Sequence, residues 1–258
     1  MDRETEPPVD SKLPLITATF WVMKIAATTL GETGGDLLSM RLKLGYAVSS
    51  VILLSGFLAS LVVQLRSRRY HPVFYWTVIL ATATAGTTMS DYMDRTLHLG
   101  YARGTAILVV CLLSVLAAWR VTTGTLDVDE VRTRKAEVFY WGAILCSNTL
   151  GTALGDFLSS RVGFLRGALL IAGLLTVVLL ATFFTRISRV ALFWAAFVLT
   201  RPFGATVGDV LTMSRKRGGL GLGTIGSSAV LGAILVFFVV RAVLQEKRAR
   251  AAVAPAAA

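Results

Sequence analysis

A chain of 258 residues that is 55% hydrophobic, with mean hydropathy +0.68, is too apolar for a soluble domain and reads as an integral membrane protein. Its 26 Lys and Arg outnumber 15 acidic residues, a formal net charge of +11. The bases gather at the ends of apolar runs, where lipid headgroups and topology account for them, and no basic stretch is interleaved with stacking aromatics, so nucleic acid is not the expected partner.

Taken in order, residues 1–15 are polar, acidic and Pro-bearing; they predict a disordered tail and lack the basic start of a signal peptide. Eight apolar runs follow, near 17–39, 45–65, 72–94, 102–119, 137–159, 164–185, 189–212 and 221–241. Each is long enough to cross a bilayer at about 20 residues per span. The charged stretch 120–136 divides the chain into two four-helix halves, 16–119 and 137–241, and 242–258 predicts a C-terminal tail. Cys111 and Cys146 lie inside apolar runs and have no metal-type spacing, so they read as small buried thiols.

With eight spans, the termini share a side with the 66–71, 120–136 and 186–189 connections, and that side holds 15 Lys and Arg against nine opposite. The positive-inside rule then puts both termini in the cytoplasm.

The architecture is set by a repeat, (Phe/Tyr)-Trp-x9-Gly-x3-(Gly/Ser)-Asp, which occurs four times without a gap: Phe20-Trp21 to Asp36, Tyr75-Trp76 to Asp91, Tyr140-Trp141 to Asp156, and Phe193-Trp194 to Asp209. Each unit reads as a helix hairpin, a motif helix followed by an apolar partner. The fold expected is therefore an all-α membrane protein of eight transmembrane helices in four hairpin repeats, motif helices inside and partner helices outside. All four motif helices run the same way, unlike inverted-repeat transporters. The Trp pairs are expected at an aromatic belt, with each aspartate about 22 Å further along. Lys24 is expected to snorkel to the interface.

Counted from each aspartate, one face of every motif helix is polar. Position −8 is Thr28, Ala83, Asn148 and Arg201; −4 is Glu32, Thr87, Thr152 and Ala205; −3 is Thr33, Thr88, Ala153 and Thr206; +3 is Ser39, Asp94, Ser159 and Thr212. The small-x3-small pairs Gly31/Gly35, Gly86/Ser90, Gly151/Gly155 and Gly204/Gly208 suit close helix packing. Charged residues inside a span are costly and mark ion paths or internal pairs. Lys24 and Arg201 alone cannot neutralise six acids, so the others must be protonated, hydrated or bound to a cation.

Oxygen donors without sulfur or clustered imidazole suit H⁺, Na⁺, Mg²⁺, Mn²⁺ or Ca²⁺. The candidate cation ligands are Glu32, Asp36, Asp91, Asp156 and Asp209. Thr28, Thr33, Thr87, Thr88, Asp94, Asn148, Thr152, Arg201 and Thr206 line the expected pathway. Pro202 predicts a kink in the seventh helix. Arg201 is read in two ways, as a structural ion pair with a neighbouring acid or as a tethered cation that fills the site when substrate is absent.

The strings TLGETGGD (29–36) and RPFGATVGDVLT (201–212) resemble a family of bacterial integral membrane proteins described as uncharacterised or membrane-anchored. The resemblance implies a bacterial inner-membrane location and an eight-helix repeat fold, and carries no function.

Three functional readings stand. The first is a non-enzymatic cation transporter in the lipid bilayer, for a divalent metal such as Mn²⁺ or Mg²⁺, exchanging with protons, without a resident cofactor; a homo-oligomer is compatible with it. The second is a non-transporting anchor or signalling protein. The third is an intramembrane enzyme, for which the sequence lacks a Gly-x-Gly-Asp protease motif, the Asp-Gly-x2-Ala-Arg string of phosphatidyl-alcohol transferases, and any His-Glu-x2-His arrangement.

Overall fold

The computed structural model describes residues 13–67 and 69–253. Most of the expected N-terminal tail, residues 1–12, lies outside the described residues. Among those described there are eight long helices: α1 (Ala18–Asp36), α2 (Gly45–Arg66), α3 (Pro72–Asp91), α4 (Tyr101–Thr123), α5 (Arg134–Val162), α6 (Phe164–Phe184), α7 (Arg189–Thr212) and α8 (Gly223–Val253). They follow the eight apolar runs. Local signals set several boundaries. Thr17 and Thr133 cap α1 and α5 by accepting from the Phe20 and Ala136 amides, and Pro72 opens α3, where its missing N–H costs nothing.

Two boundaries differ from expectation. The charged loop shrinks to 124–133, because Arg120–Thr123 belong to α4 and Arg134–Ala136 to α5. Helix α8 runs on to Val253, through a stretch rich in Ala, Arg, Lys, Gln and Glu that favours helix. Helix α7 continues through Pro202.

The four motif helices form the inside. In cyclic order α1, α3, α5 and α7 each pack against two neighbours and close a ring. The apolar partners lie outside, but they do not fold back as hairpins. Each packs chiefly on the inner helix of the next repeat: α2 on α3, α4 on α5, α6 on α7, and α8 on α1. The turn from inner to outer helix explains the offset. Gly45, Gly100, Gly163 and Gly223 all take positive φ at the entry to an outer helix, a conformation in which a Cβ would be strained. The chain thereby swings outward to the neighbouring seam.

The seams repeat at the same level. Gly31 faces Ala83, Gly86 faces Asn148 and Thr149, Gly151 faces Arg201 and Pro202, and Gly204 faces Thr28 and Thr29. In each case the glycine five residues before one aspartate meets residues seven or eight before the next, so the inner helices run parallel and in register. A side chain at the glycine would separate them.

The polarity is inverted relative to a soluble protein. The four outer helices have mean hydropathy 2.1–2.5, yet only 11–22% of each apolar stretch is buried. Together with α7 they are the five helices among the described residues long and apolar enough to cross a membrane. Helices α1, α3 and α5 fall short of that apolarity because of their polar stripe.

The aromatic pairs do not form an outward belt. Trp76, Trp141 and Trp194 are 3%, 0% and 6% exposed, because they face adjoining inner helices. Phe20 meets Trp76, Tyr75 meets Trp141, and Trp21 meets Phe193. Trp119 of α4 inserts between Tyr140 and Trp194, and the Tyr75 and Tyr140 hydroxyls lie 2.6 Å apart. This aromatic layer closes one end of the ring.

Candidate cation site along the ring axis

An i, i+4 row on each inner helix points along the ring axis: 24-28-32-36 on α1, 83-87-91 on α3, 148-152-156 on α5 and 201-205-209 on α7. Polar layers therefore succeed one another about 6 Å apart, at 1.5 Å per residue.

Below the centre sits Lys24, fully buried. Its ammonium lies 3.9 Å from the centroid of the Phe197 ring and 3.4 Å from Asn148 Oδ1. Lys24 thus does not snorkel; its row points it into the ring instead of toward the helix end. Asn148 in turn donates to Thr82 Oγ1 at 2.9 Å.

The centre belongs to Arg201, which is also fully buried. Its guanidinium donates to the Thr28, Asn148 and Ala83 carbonyls at 2.7, 3.2 and 3.0 Å. Those are the −8 residues of the other three repeats. It also donates to the Thr87 and Thr152 hydroxyls and lies 3.3 Å from Glu32 Oε2. Thr87 and Thr152 donate to that same oxygen at 3.1 and 3.2 Å. The −8 and −4 layers are one network with Arg201 at its hub.

Above lie the four aspartates. Arg95 is fully outside the expected pathway, yet it reaches back: Nε is 3.1 Å from Asp91 Oδ1 and Nη2 is 3.0 Å from Asp156 Oδ2. Its third contact is the Tyr46 hydroxyl of α2 at 2.8 Å. A π-helical turn, Tyr92–Thr96, follows Asp91, and a matching one, Leu37–Arg41, follows Asp36. Such turns recur at functional sites. Arg95 therefore neutralises the acids of the second and third repeats. The carboxyl groups of Asp36 and Asp209, in the adjoining first and fourth repeats, make no hydrogen bond or ion pair among the described residues. Asp209 is 7% exposed, and Glu32, Asp156, Asp36 and Arg95 all lie within its electrostatic reach.

Several expected pathway residues turn elsewhere. Thr33 accepts from Ser228 of α8 at 2.7 Å, while Thr88 and Thr206 donate to carbonyls of their own helices. A position three residues before the aspartate is rotated about 60° to the side opposite the i, i+4 row, and so faces the outer helices. Asp94 lies off the axis, against Gly104 of α4. Among the described residues no group of three or more His, Cys, Asp and Glu is arranged to hold a metal ion. Glu32 sits at the centre with Arg201 and the four aspartates lie above it, where Arg95 holds Asp91 and Asp156 and no ion pair is made by Asp36 or Asp209 among the described residues.

Arg95 and Lys24 reach the axis although neither is among the expected ligand or pathway residues. Extending each i, i+4 row by one step in either direction, 91 to 95 and 28 to 24, finds both.

Fold and site together define an all-helical, four-repeat bundle with ionisable side chains in its core. Segments 19–70, 74–125, 139–188 and 192–248 each match the family described as a Repeat of Unknown Function (DUF347), and the chain belongs to it. The four matches coincide with the four inner–outer helix units. No curated protein and no solved structure matches the chain.

Proposed function

We propose that this protein is a multi-pass membrane transporter for a hard cation, carried through the carboxylate layer and exchanged with protons. The observation that carries the reading is the inverted polarity: exposed apolar helices surround the buried Glu32, Asp91, Asp209 and Arg201, with half-buried Asp36 and Asp156 and the exposed Arg95 at one end. An apolar exterior of that extent is a lipid-facing surface. Ionisable groups inside such a bundle mark ion paths.

Eight spans, both termini cytoplasmic and a bacterial inner membrane complete the topology; the acid layer then opens to the outer side. Five carboxylates against two guanidiniums leave that layer short of positive charge, and carboxylate oxygens suit Mn²⁺ or Mg²⁺. The cation enters beside Asp36 and Asp209, the acids without an arginine. Arg201 beneath them holds the −4 layer closed, as a tethered cation would.

The test is flux into proteoliposomes across Mn²⁺, Mg²⁺, Ca²⁺, Zn²⁺ and Na⁺, with a pH dye inside. Movement of one cation with protons moving oppositely supports the proposal. Folded protein that moves none of them favours a non-transporting membrane anchor, for which the closed aromatic layer and the saturated Arg201 network would serve as a rigid core.

A further inference from the structure

The acid least explained by the axial network is Asp94. Both of its carboxyl oxygens are shielded from solvent and lack a hydrogen-bond partner among the described residues. One of them occupies the space that a Cβ on Gly104 would fill. The equivalent positions in the other repeats are the hydroxyl residues Ser39, Ser159 and Thr212, and Ser159 sits near Gly167 of α6 much as Asp94 sits near Gly104. The fold thus makes a niche for a small neutral O–H group between the end of an inner helix and the start of an outer one. An ionised carboxylate there would be a dry, unpaired charge.

We propose that Asp94 is a proton-binding site that couples proton occupancy to cation occupancy of the carboxylate layer. The proposal rests on the cation reading above for its second half only. With the proton on, Asp94 is neutral like the hydroxyls of its counterparts, and Arg95 is left to pair with Asp91 and Asp156. When the proton leaves for water at the open end, the new carboxylate stands one residue from Arg95 and competes for its guanidinium. Asp91 and Asp156 then lose their counter-charge, and a cation takes its place. Reprotonation returns Arg95 and expels the cation.

The charged and titratable groups around this exchange are Arg95 on the same turn, Asp91 on α3, Tyr46 on α2, Tyr101 on α4, and Asp156 on α5. Among the acids there, Asp94 is the one that Arg95 does not already bind.

Two measurements on the full chain test this. The first is infrared absorption of purified protein near neutral pH, comparing wild type with Asp94→Asn and with Asp94→Ser, which carries the side chain of repeats one and three. Loss of a protonated-carboxyl stretch in both variants is expected. An unchanged stretch overturns the proposal, whatever the protein transports. The second is Mn²⁺ affinity against pH. A competing proton on Asp94 contributes about tenfold in affinity per pH unit of acidification, and the slope in Asp94→Asn is expected to be shallower than wild type by that amount. An equal slope in the variant overturns the coupling. If neither protein binds Mn²⁺, the cation reading fails and the infrared comparison still decides whether Asp94 holds a proton.

Discussion

Arg201 Nη2 lies 3.3 Å from Glu32 Oε2, joining the fourth repeat to the first at the centre of the ring. Neither side chain has solvent to fall back on, since their exposures are 0% and 6%. The guanidinium uses the carbonyls of all three other repeats, so one residue of the divergent repeat ties the whole ring together.

Breaking that pair from one side leaves an uncompensated buried charge, which costs about 3–5 kcal/mol. Arg201→Gln and Glu32→Gln are each expected to destabilise, with the double variant less unstable than the sum by about 1–3 kcal/mol. Unfolding of the four proteins in detergent measures the coupling. Additive losses would show that the two groups do not act as a pair.

The glycine seams predict a contrast between inner and outer helices. A Cβ on Gly86 would stand 2.9 Å from the Thr149 nitrogen, and one on Gly204 would meet Thr28 Cβ at 2.9 Å. Gly86→Ala and Gly204→Ala should each cost about 1–3 kcal/mol by forcing backbones apart. Gly56 and Gly173, on the outer helices, have nothing within 4 Å. Their alanine variants should change thermal stability by less than about 1 kcal/mol. Equal losses in both sets would contradict the seam.

Arg95 is 36% exposed at its side chain, and it neutralises two acids. Arg95→Ala should tighten Mn²⁺ binding by about three- to tenfold, from one less positive charge beside the acid layer. Arg95→Lys, without the fork that spans both acids, should fall between. Calorimetric titration distinguishes this from a structural brace, whose removal would weaken binding.

Lys24 has a ring and an amide as neighbours and no carboxylate. Lys24→Met keeps the stem and removes a buried amino group one layer below Arg201. Stability should be unchanged or higher, by up to about 2 kcal/mol, in thermal unfolding. A large loss would mean that Lys24 holds Asn148 in place.

Much of this organisation was legible in the sequence. Apolar run lengths placed all eight helices, and the spacing from Trp to Asp revealed four equivalent units. The polar stripe identified the inner helices, because carboxylates and glycine pairs recur there and not in α2, α4, α6 or α8. What the sequence reading missed depends on tertiary geometry. A tryptophan fifteen residues from an aspartate suits a lipid interface as well as a neighbouring helix, and only the closed ring selects the second. Hairpin packing was the local expectation, yet four positive-φ glycines carry each outer helix to the following repeat. Arg95 read as a headgroup-facing base because its run had ended. The π-helical turn after Asp91 accompanies its return to the axis. Reading −3 and −4 as one face also overfilled the site, since only the i, i+4 row follows the axis.

The most direct test of the central claim is cation flux by wild type and by the Asp36→Asn, Asp209→Asn double variant in the same proteoliposome assay. These two acids lack arginine partners, so their amides should leave the fold intact. The account predicts that wild type moves one hard cation against protons and that the double variant, equally folded, moves less than about a tenth as much, as expected when the charged ligands of an oxygen site are lost. Equal flux from both proteins, or none from wild type, would contradict it.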